Sequence, residues 1–211
     1  MAPSLAGSVE LTFDDGPDPV WTPAVLAALS GSSLRATFFV ITPRAAAHPQ
    51  LLAAIKAGGH AIELHCHEHV RHTDVDRAAI EEDTERALST LASLGVHPHR
   101  WRTPYGARAP WTEEIAAMHD LELCGWDVDS HDWRGDAAEA MLAAVGPELR
   151  AGAVVLLHDG LGPGAQRQGC EETVRFTRMI AAESEAGCDG PDRVSDGSLA
   201  APARVGLPPA G

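Results

Sequence analysis

Basic charge is scarce in this 211-residue chain. Its 16 Lys and Arg stand against 30 Asp and Glu, a formal net charge of −14 at pH 7. No run of Lys and Arg offsets that balance, so the chain lacks the electrostatic footprint of a nucleic-acid binder or of a protein bound to an anionic membrane or wall surface. No stretch approaches the ~18 uninterrupted apolar residues of a transmembrane helix. The segment Met1–Glu10 has neither a basic start nor a long apolar core. No secretory leader is therefore read there and a cytoplasmic location is expected, although a processed secreted form reads the same way. The four cysteines, Cys66, Cys124, Cys170 and Cys188, form no CxxC pair, which removes zinc-ribbon and thioredoxin readings. Without an export signal they are expected to be reduced. Cys170 and Cys188 flank one predicted helix, whose ends lie too far apart to bridge. Internal repeats and linkers are absent too. A composition of 45% hydrophobic and 22% charged residues suits one globular domain, read here as residues 1–187, followed by a Gly/Pro/Ala-rich tail, 188–211, without regular structure.

What the chain does have is an alternation of short β-type runs and longer helical ones. Ser8–Phe13, Arg35–Ile41, His60–Leu64, Arg100–Arg102, Leu121–Asp127 and Ala153–Leu157 read as six strands. Thr22–Leu29, Arg44–Ala57, Val75–Leu94, Thr112–His119, Asp136–Leu149 and Glu171–Glu185 read as helices. Thr22 before Pro23 serves as one helix start, Thr112 with Glu113 and Glu114 as another, and Gly95 as a stop. Strands that alternate with helices imply parallel pairing and right-handed crossovers, hence a doubly wound sheet or a barrel. The strand runs are short and continuously apolar, as expected when both faces are covered.

The chemistry-bearing residues follow these strands. Asp14 and Asp15 follow the first strand and His65 and His69 the third. Arg102–Gly106 closes the fourth, Asp129 and Asp132 follow the fifth, and His158 with Asp159 follows the sixth. In an α/β barrel these ends share one face, which holds the active site. The chain has 11 histidines, and five lie between His60 and His72. If the chain turns helical after Leu64, His65 and His69 share a face and can chelate one ion, with His72 a turn further out. If it stays extended, His65, His67 and His69 share a face. Alone, HxxxH is more often a solvated loop, and Asp14-Asp15-Gly16 is ordinary turn chemistry. Together, one Asp and two His make a facial set with open positions, suited to Zn²⁺ or another divalent ion in a hydrolytic role. Co²⁺ or Ni²⁺ fits the same donors.

The ordered motifs TFDDGP (Thr12–Pro17), HxxxH (His65–His69), RTPYG (Arg102–Gly106), DSHDW (Asp129–Trp133) and LLH (Leu156–His158) resemble the polysaccharide deacetylases, the NodB-homology domain of carbohydrate esterase family 4. The resemblance spans residues 8 to about 186. It implies an α/β fold, a distorted barrel of about seven parallel strands, whose last strand has no C-terminal counterpart in this sequence. It implies Asp14 as general base, Asp15 with His65 and His69 as metal ligands, and Arg102 as the partner of Asp14. It further implies that the Tyr105 backbone N–H stabilises the oxyanion, that Asp132 orients His158 as general acid, and that Trp133 and Leu156 line the acyl pocket. The implied activity is metal-dependent hydrolysis of an N-acetyl group on an amino sugar, such as the N-acetylglucosamine units of chitin oligomers or peptidoglycan. An intracellular N-deacylase of a soluble small molecule and an O-acetyl esterase are the alternatives. A non-catalytic binding protein on the same fold would lack a base, acid or ligand, and all are present. The sequence departs from the family's usual Ser or Thr after the first metal His, where it has Cys66. The extra histidines His67, His72 and His131 read as polar loop residues, with His67 and His131 able to reach substrate.

Overall fold

The structure is a computed structural model that describes residues 9–186. The proposed tail, 188–211, Cys188 within it, and Ser8 lie outside the described residues. Seven parallel strands form one sheet in the order β5-β4-β3-β2-β1-β7-β6, with β1 Glu10–Asp14, β2 Ala36–Ile41, β3 Ala61–Cys66, β4 Arg100–Trp101, β5 Glu122–Leu123, β6 Val128–Asp129 and β7 Val154–His158. Parallel pairing requires a crossover between neighbours. The crossovers carry helices α1 Trp21–Leu29, α2 Thr42–Ala47, α3 Pro49–Ala57, α4 Arg77–Ser93, α5 Thr112–Met118 and α6 Ala138–Val145, and α7 Glu171–Ala186 follows the last strand. The sheet curls into an open barrel. Its central strands are apolar on both faces: all six residues of β2 are buried, and Phe13 of β1 stacks on Phe38 of β2 at 5.1 Å between ring centroids.

The seventh strand is not C-terminal. Of the run Leu121–Asp127, read as one strand, only Glu122–Leu123 is a strand, β5, and β6 follows just beyond the run on the opposite edge of the sheet. The chain steps from one edge to the other through Cys124–Asp127. Each strand then pairs with its own neighbour, β5 with β4 and β6 with β7, and the barrel stays open between them. Apolar periodicity cannot distinguish one buried strand from two short ones separated by a sharp turn.

Helix boundaries differ for local reasons. The helix read as Arg44–Ala57 breaks at His48, because Pro49 supplies no N–H to the preceding turn. At the start of α1 the side chain of Asp18, not Thr22, accepts the backbone N–H groups of Val20 and Trp21. Thr112 likewise lies inside α5, after Trp111, and its hydroxyl accepts the Ala109 N–H. Asp76 caps α4 through the Ala79 N–H. Gly95 ends α4 with φ 67°, and the Val96 N–H returns to the Leu91 carbonyl at 2.9 Å, the bond that defines a left-handed helix stop.

Candidate active site

The carboxyl ends of β1, β3, β4, β6 and β7 open on one cleft of about 310 Å³. Asp14, Asp15, His65, His69, Tyr105, Trp133, Leu156 and His158 all line it. Arg102 and Asp132 lie behind that wall, completely or almost completely buried. All ten residues expected from the sequence therefore converge.

Asp14 is the last residue of β1, whereas Asp15 takes φ 71°. That left-handed turn, tolerated by Asp more readily than by most residues, sends neighbouring carboxylates different ways. Asp14 Oδ1 accepts from Arg102 Nη1 at 2.9 Å. Arg102 also donates to the Thr12 hydroxyl at 2.7 Å and to the Gly125 carbonyl at 2.7 Å, and its guanidinium lies over Phe39 at 4.2 Å. One buried cation thus ties β1 to the Cys124–Asp127 turn where the sheet is open.

Asp15 Oδ1 faces the Nε2 atoms of His65 and His69 at 3.4 and 3.2 Å. His65 Nδ1 sits 2.7 Å from the Arg102 carbonyl. A carbonyl only accepts, so Nδ1 carries the proton and Nε2 presents its lone pair. The Asp15 oxygen is buried and has no hydrogen-bond donor. The His65 lone pair and the carboxylate repel at this distance unless a cation lies between them, and His69 Nε2 converges on the same oxygen. The three ligand atoms fall within 4.8 Å of one another, and a tetrahedral site with ligands at about 2.0 Å has edges of roughly 3.3 Å. The donor set fits a divalent metal ion.

The HxxxH spacing acts through neither of the geometries read from the sequence. His65 is the penultimate residue of strand β3, the chain bends after Cys66, and His69 returns from the loop. His67 consequently points away. Arg86 donates to His67 Nε2 at 3.0 Å, and His67 Nδ1 meets the Thr42 hydroxyl at 2.9 Å, so this ring pins the loop and does not line the cleft. Asp83 of α4 accepts the backbone N–H groups of His67 and Glu68 at 3.0 and 2.7 Å. His72 is buried, bonded to Thr112 at 3.0 Å and packed on Trp101. Burial and the neighbouring His65 lower its pKa to about 4, which keeps it neutral and structural. Cys66 is buried, and that burial raises its thiol well above the ordinary value. It lies outside the ligand set. His131 takes φ 55° and faces Asp129 at 3.1 Å.

His158 Nδ1 is 2.7 Å from Asp132 Oδ1. Burial favours the neutral ring, but the Asp132 carboxylate outweighs it, Asp15 and Asp14 add to the effect, and the pKa rises to about 9. Burial of Asp132 is in turn overridden by His158, Arg167 and Thr173, which lower its pKa to about 2. The other oxygen of Asp132 accepts from Arg167 at 2.8 Å, from Thr173 at 2.7 Å and from the His158 backbone at 2.9 Å.

Sequence reasoning missed Arg167, Arg44 and Trp126. Arg167 also donates to the His158 and Gly160 carbonyls at 3.0 and 3.3 Å, and Arg44 ties the Asp15 and Leu161 carbonyls at 2.7 and 2.9 Å. Neither stands in a motif, and each finds its partners over more than five residues of intervening chain. Trp126 lines the cleft but was hidden inside the run read as a single strand. Gly160 and Gly162 both pack on Asp15: a Cβ on Gly160 would lie 2.7 Å from the Asp15 carbonyl oxygen, and one on Gly162 would clash with the Asp15 carboxylate. Asp159, next to His158, is fully buried against the Thr22 hydroxyl. Burial raises its pKa to about 7, against the Thr22 bond and with the Asp15 and Asp14 charges.

Residues 3–124 match the family described as Polysaccharide deacetylase. A chitooligosaccharide deacetylase of Bradyrhizobium sp. (strain ANU 289) is 35% identical over 173 residues, which cover 80% of this chain and 78% of that relative. A peptidoglycan-N-acetylglucosamine deacetylase of Bacillus cereus is 31% identical over 154 residues, 72% of each protein. A family 4 carbohydrate esterase from Streptomyces lividans in complex with acetate superposes with a TM-score of 0.75 at 32% identity, over 86% of this chain and 90% of that one.

Proposed function

The chain belongs to the polysaccharide deacetylase family, and we propose that it removes the N-acetyl group from N-acetylglucosamine units of an oligosaccharide or glycan with the help of one divalent metal ion. The observation that carries this reading is the unsatisfied Asp15 oxygen facing two oriented imidazoles, flanked by a paired carboxylate on one side and a carboxylate-bound histidine on the other. When bound, the ion supplies Lewis-acid polarisation of a carbonyl oxygen and acidifies a water.

The protein's own groups divide the remaining work. Asp14 keeps one oxygen on Arg102 and turns its carboxylate to the cleft, where it takes a proton from the attacking water. Arg102 fixes that carboxylate in direction. The Tyr105 backbone, bent to φ 59° at the turn after Arg102, offers its N–H to the developing oxyanion. An amine leaves only once protonated. His158 has Nδ1 committed to Asp132, so its Nε2 proton is the one delivered. Trp133 and Leu156 form the apolar wall for the acetyl methyl.

The test is acetate release from N-acetylglucosamine oligomers by protein freed of metal and then reloaded with Zn²⁺, Co²⁺ or Ni²⁺. Activity that returns with stoichiometric metal supports the reading. Equal activity of the metal-free protein overturns metal dependence, and faster release from O-acetylated sugars with none from N-acetylated ones makes the protein an O-esterase.

A further inference from the structure

Three arginines stand at the cleft, and two have partners built by the protein. Arg102 holds Asp14 and Arg167 holds Asp132. The third, Arg71, lines the cleft and is exposed, and no carboxylate among the described residues pairs with it. Its guanidinium carbon lies over the Tyr105 ring, 3.9 Å from the centroid, and that ring meets the imidazole of His69 edge-on at 4.6 Å. Arg71 is therefore one aromatic ring away from a metal-ligand residue.

The position is held from the backbone. His69 precedes Arg71 by two residues. His72, the next residue, is buried against Trp101 and bonded to Thr112, and the Arg71 carbonyl accepts the Asp74 N–H at 3.0 Å. The contact with Tyr105 occupies the guanidinium carbon, and its N–H groups pair with no carboxylate among the described residues. Those N–H groups form a planar fork matched to a carboxylate. In a chain of net charge −14, a preoriented cation left without a protein anion beside the reaction centre is a recognition element for an anion that arrives with the substrate.

We infer that Arg71 determines specificity for an N-acetylated sugar chain that carries a carboxylate on the unit being deacetylated or on the one next to it. This rests on the deacetylase reading above and narrows its substrate class from neutral to acidic amino-sugar chains. The fork binds the carboxylate, while Asp14, Asp15 and His158 address the acetamide.

The experiment compares a neutral N-acetylglucosamine tetramer with a tetramer of alternating N-acetylglucosamine and N-acetylmuramic acid, whose lactyl groups supply the carboxylates. Both are offered to the metal-loaded wild type, Arg71→Gln and Arg71→Lys, and acetate release and calorimetric binding are both measured. The expected result is a wild-type kcat/KM about tenfold or more higher on the acidic tetramer, carried by KM and shrinking with added salt. Arg71→Gln lowers the acidic-to-neutral ratio about tenfold, and Arg71→Lys recovers part of it, because an ammonium supplies charge without the fork. Turnover of the neutral tetramer with no preference for the acidic one overturns the inference and leaves the deacetylase reading standing. Loss of the same size on both substrates in Arg71→Gln overturns it too. If neither tetramer is turned over, the deacetylase reading fails, and binding decides the inference separately: tighter binding of the acidic tetramer that depends on Arg71 upholds it, and equal binding of the two overturns it.

Discussion

Replacing Asp132 by Asn changes the proposed acid without changing the size of the side chain. One Asp132 oxygen accepts three donors, from Arg167, Thr173 and the His158 backbone. The Asn carbonyl oxygen must take that place, because an amide NH₂ there would face donors. The NH₂ then points at His158 Nδ1, where the carboxylate stood at 2.7 Å. A donor facing Nδ1 requires a lone pair on it, so the ring is held neutral and in the opposite tautomer. The wild-type His158 pKa of about 9 leaves roughly 0.9 of the ring protonated at pH 8. Without the Asp132 charge, burial and the new donor bring the pKa to the ordinary histidine value of 6.5 or lower. At pH 8 the protonated fraction is then at most about 0.03, a loss of about 30-fold in amide hydrolysis, and the basic limb of the rate profile moves to lower pH. Rates of acetate release from an N-acetylated oligomer and of nitrophenolate release from 4-nitrophenyl acetate, measured from pH 5 to 10, separate the roles. The activated ester needs no proton on its leaving group and should lose much less. Stability supplies a second reading. A histidine whose folded pKa is raised stabilises the fold fully below its unfolded value and loses that contribution as pH rises through the folded one. Wild-type stability should therefore fall between about pH 6.5 and 9, and Asp132→Asn should flatten that slope. Equal losses on amide and ester, with the basic limb unmoved, would refute His158 as the acid.

Other substitutions probe the remaining groups. His69→Ala removes one of three ligands on a loop otherwise held by Asp83 and Arg86, so bound metal per chain should drop to near zero while the circular dichroism spectrum stays unchanged; full occupancy would remove His69 from the ligand set. Asp14→Asn keeps the shape beside Arg102 and should retain metal while lowering turnover by about 10²–10⁴-fold, the usual range for a lost general base; an emptied metal site would exchange the roles of Asp14 and Asp15. Asp83→Ala leaves the His67 and Glu68 N–H groups unpaired and should weaken metal affinity about 10–100-fold by competition with a chelator, whereas unchanged affinity would mean that the loop holds its shape without α4. Arg102→Met strands the buried Asp14 carboxylate and should destabilise the fold by about 3–5 kcal/mol in urea unfolding; a cost below about 1 kcal/mol would show that water reaches the pair.

The sequence alone determined the alternation of strand and helix, the parallel class that follows from it, and which residue types stand where strands end. Turn chemistry and apolar period are written within some ten residues, so Asp14-Asp15, Arg102, Asp132 and His158 were readable as strand-end groups before any coordinates. The ordered motifs assigned them expected roles, and the structure brings those residues to one cleft. Tertiary structure decided what depends on distant neighbours. Only Glu122–Leu123 of the run Leu121–Asp127 became a strand, and Val128–Asp129 formed a second one on the opposite edge, because β4 and β7 each offered a different free edge. His69 rather than His67 meets Asp15, because Thr42, Asp83 and Arg86 turn His67 outward. Arg167 became the partner of Asp132, 35 residues away, and Arg71 was left with no carboxylate among the described residues. Local propensity carries no record of which charge finds a partner, since that is settled by packing between segments that the chain brings together only on folding.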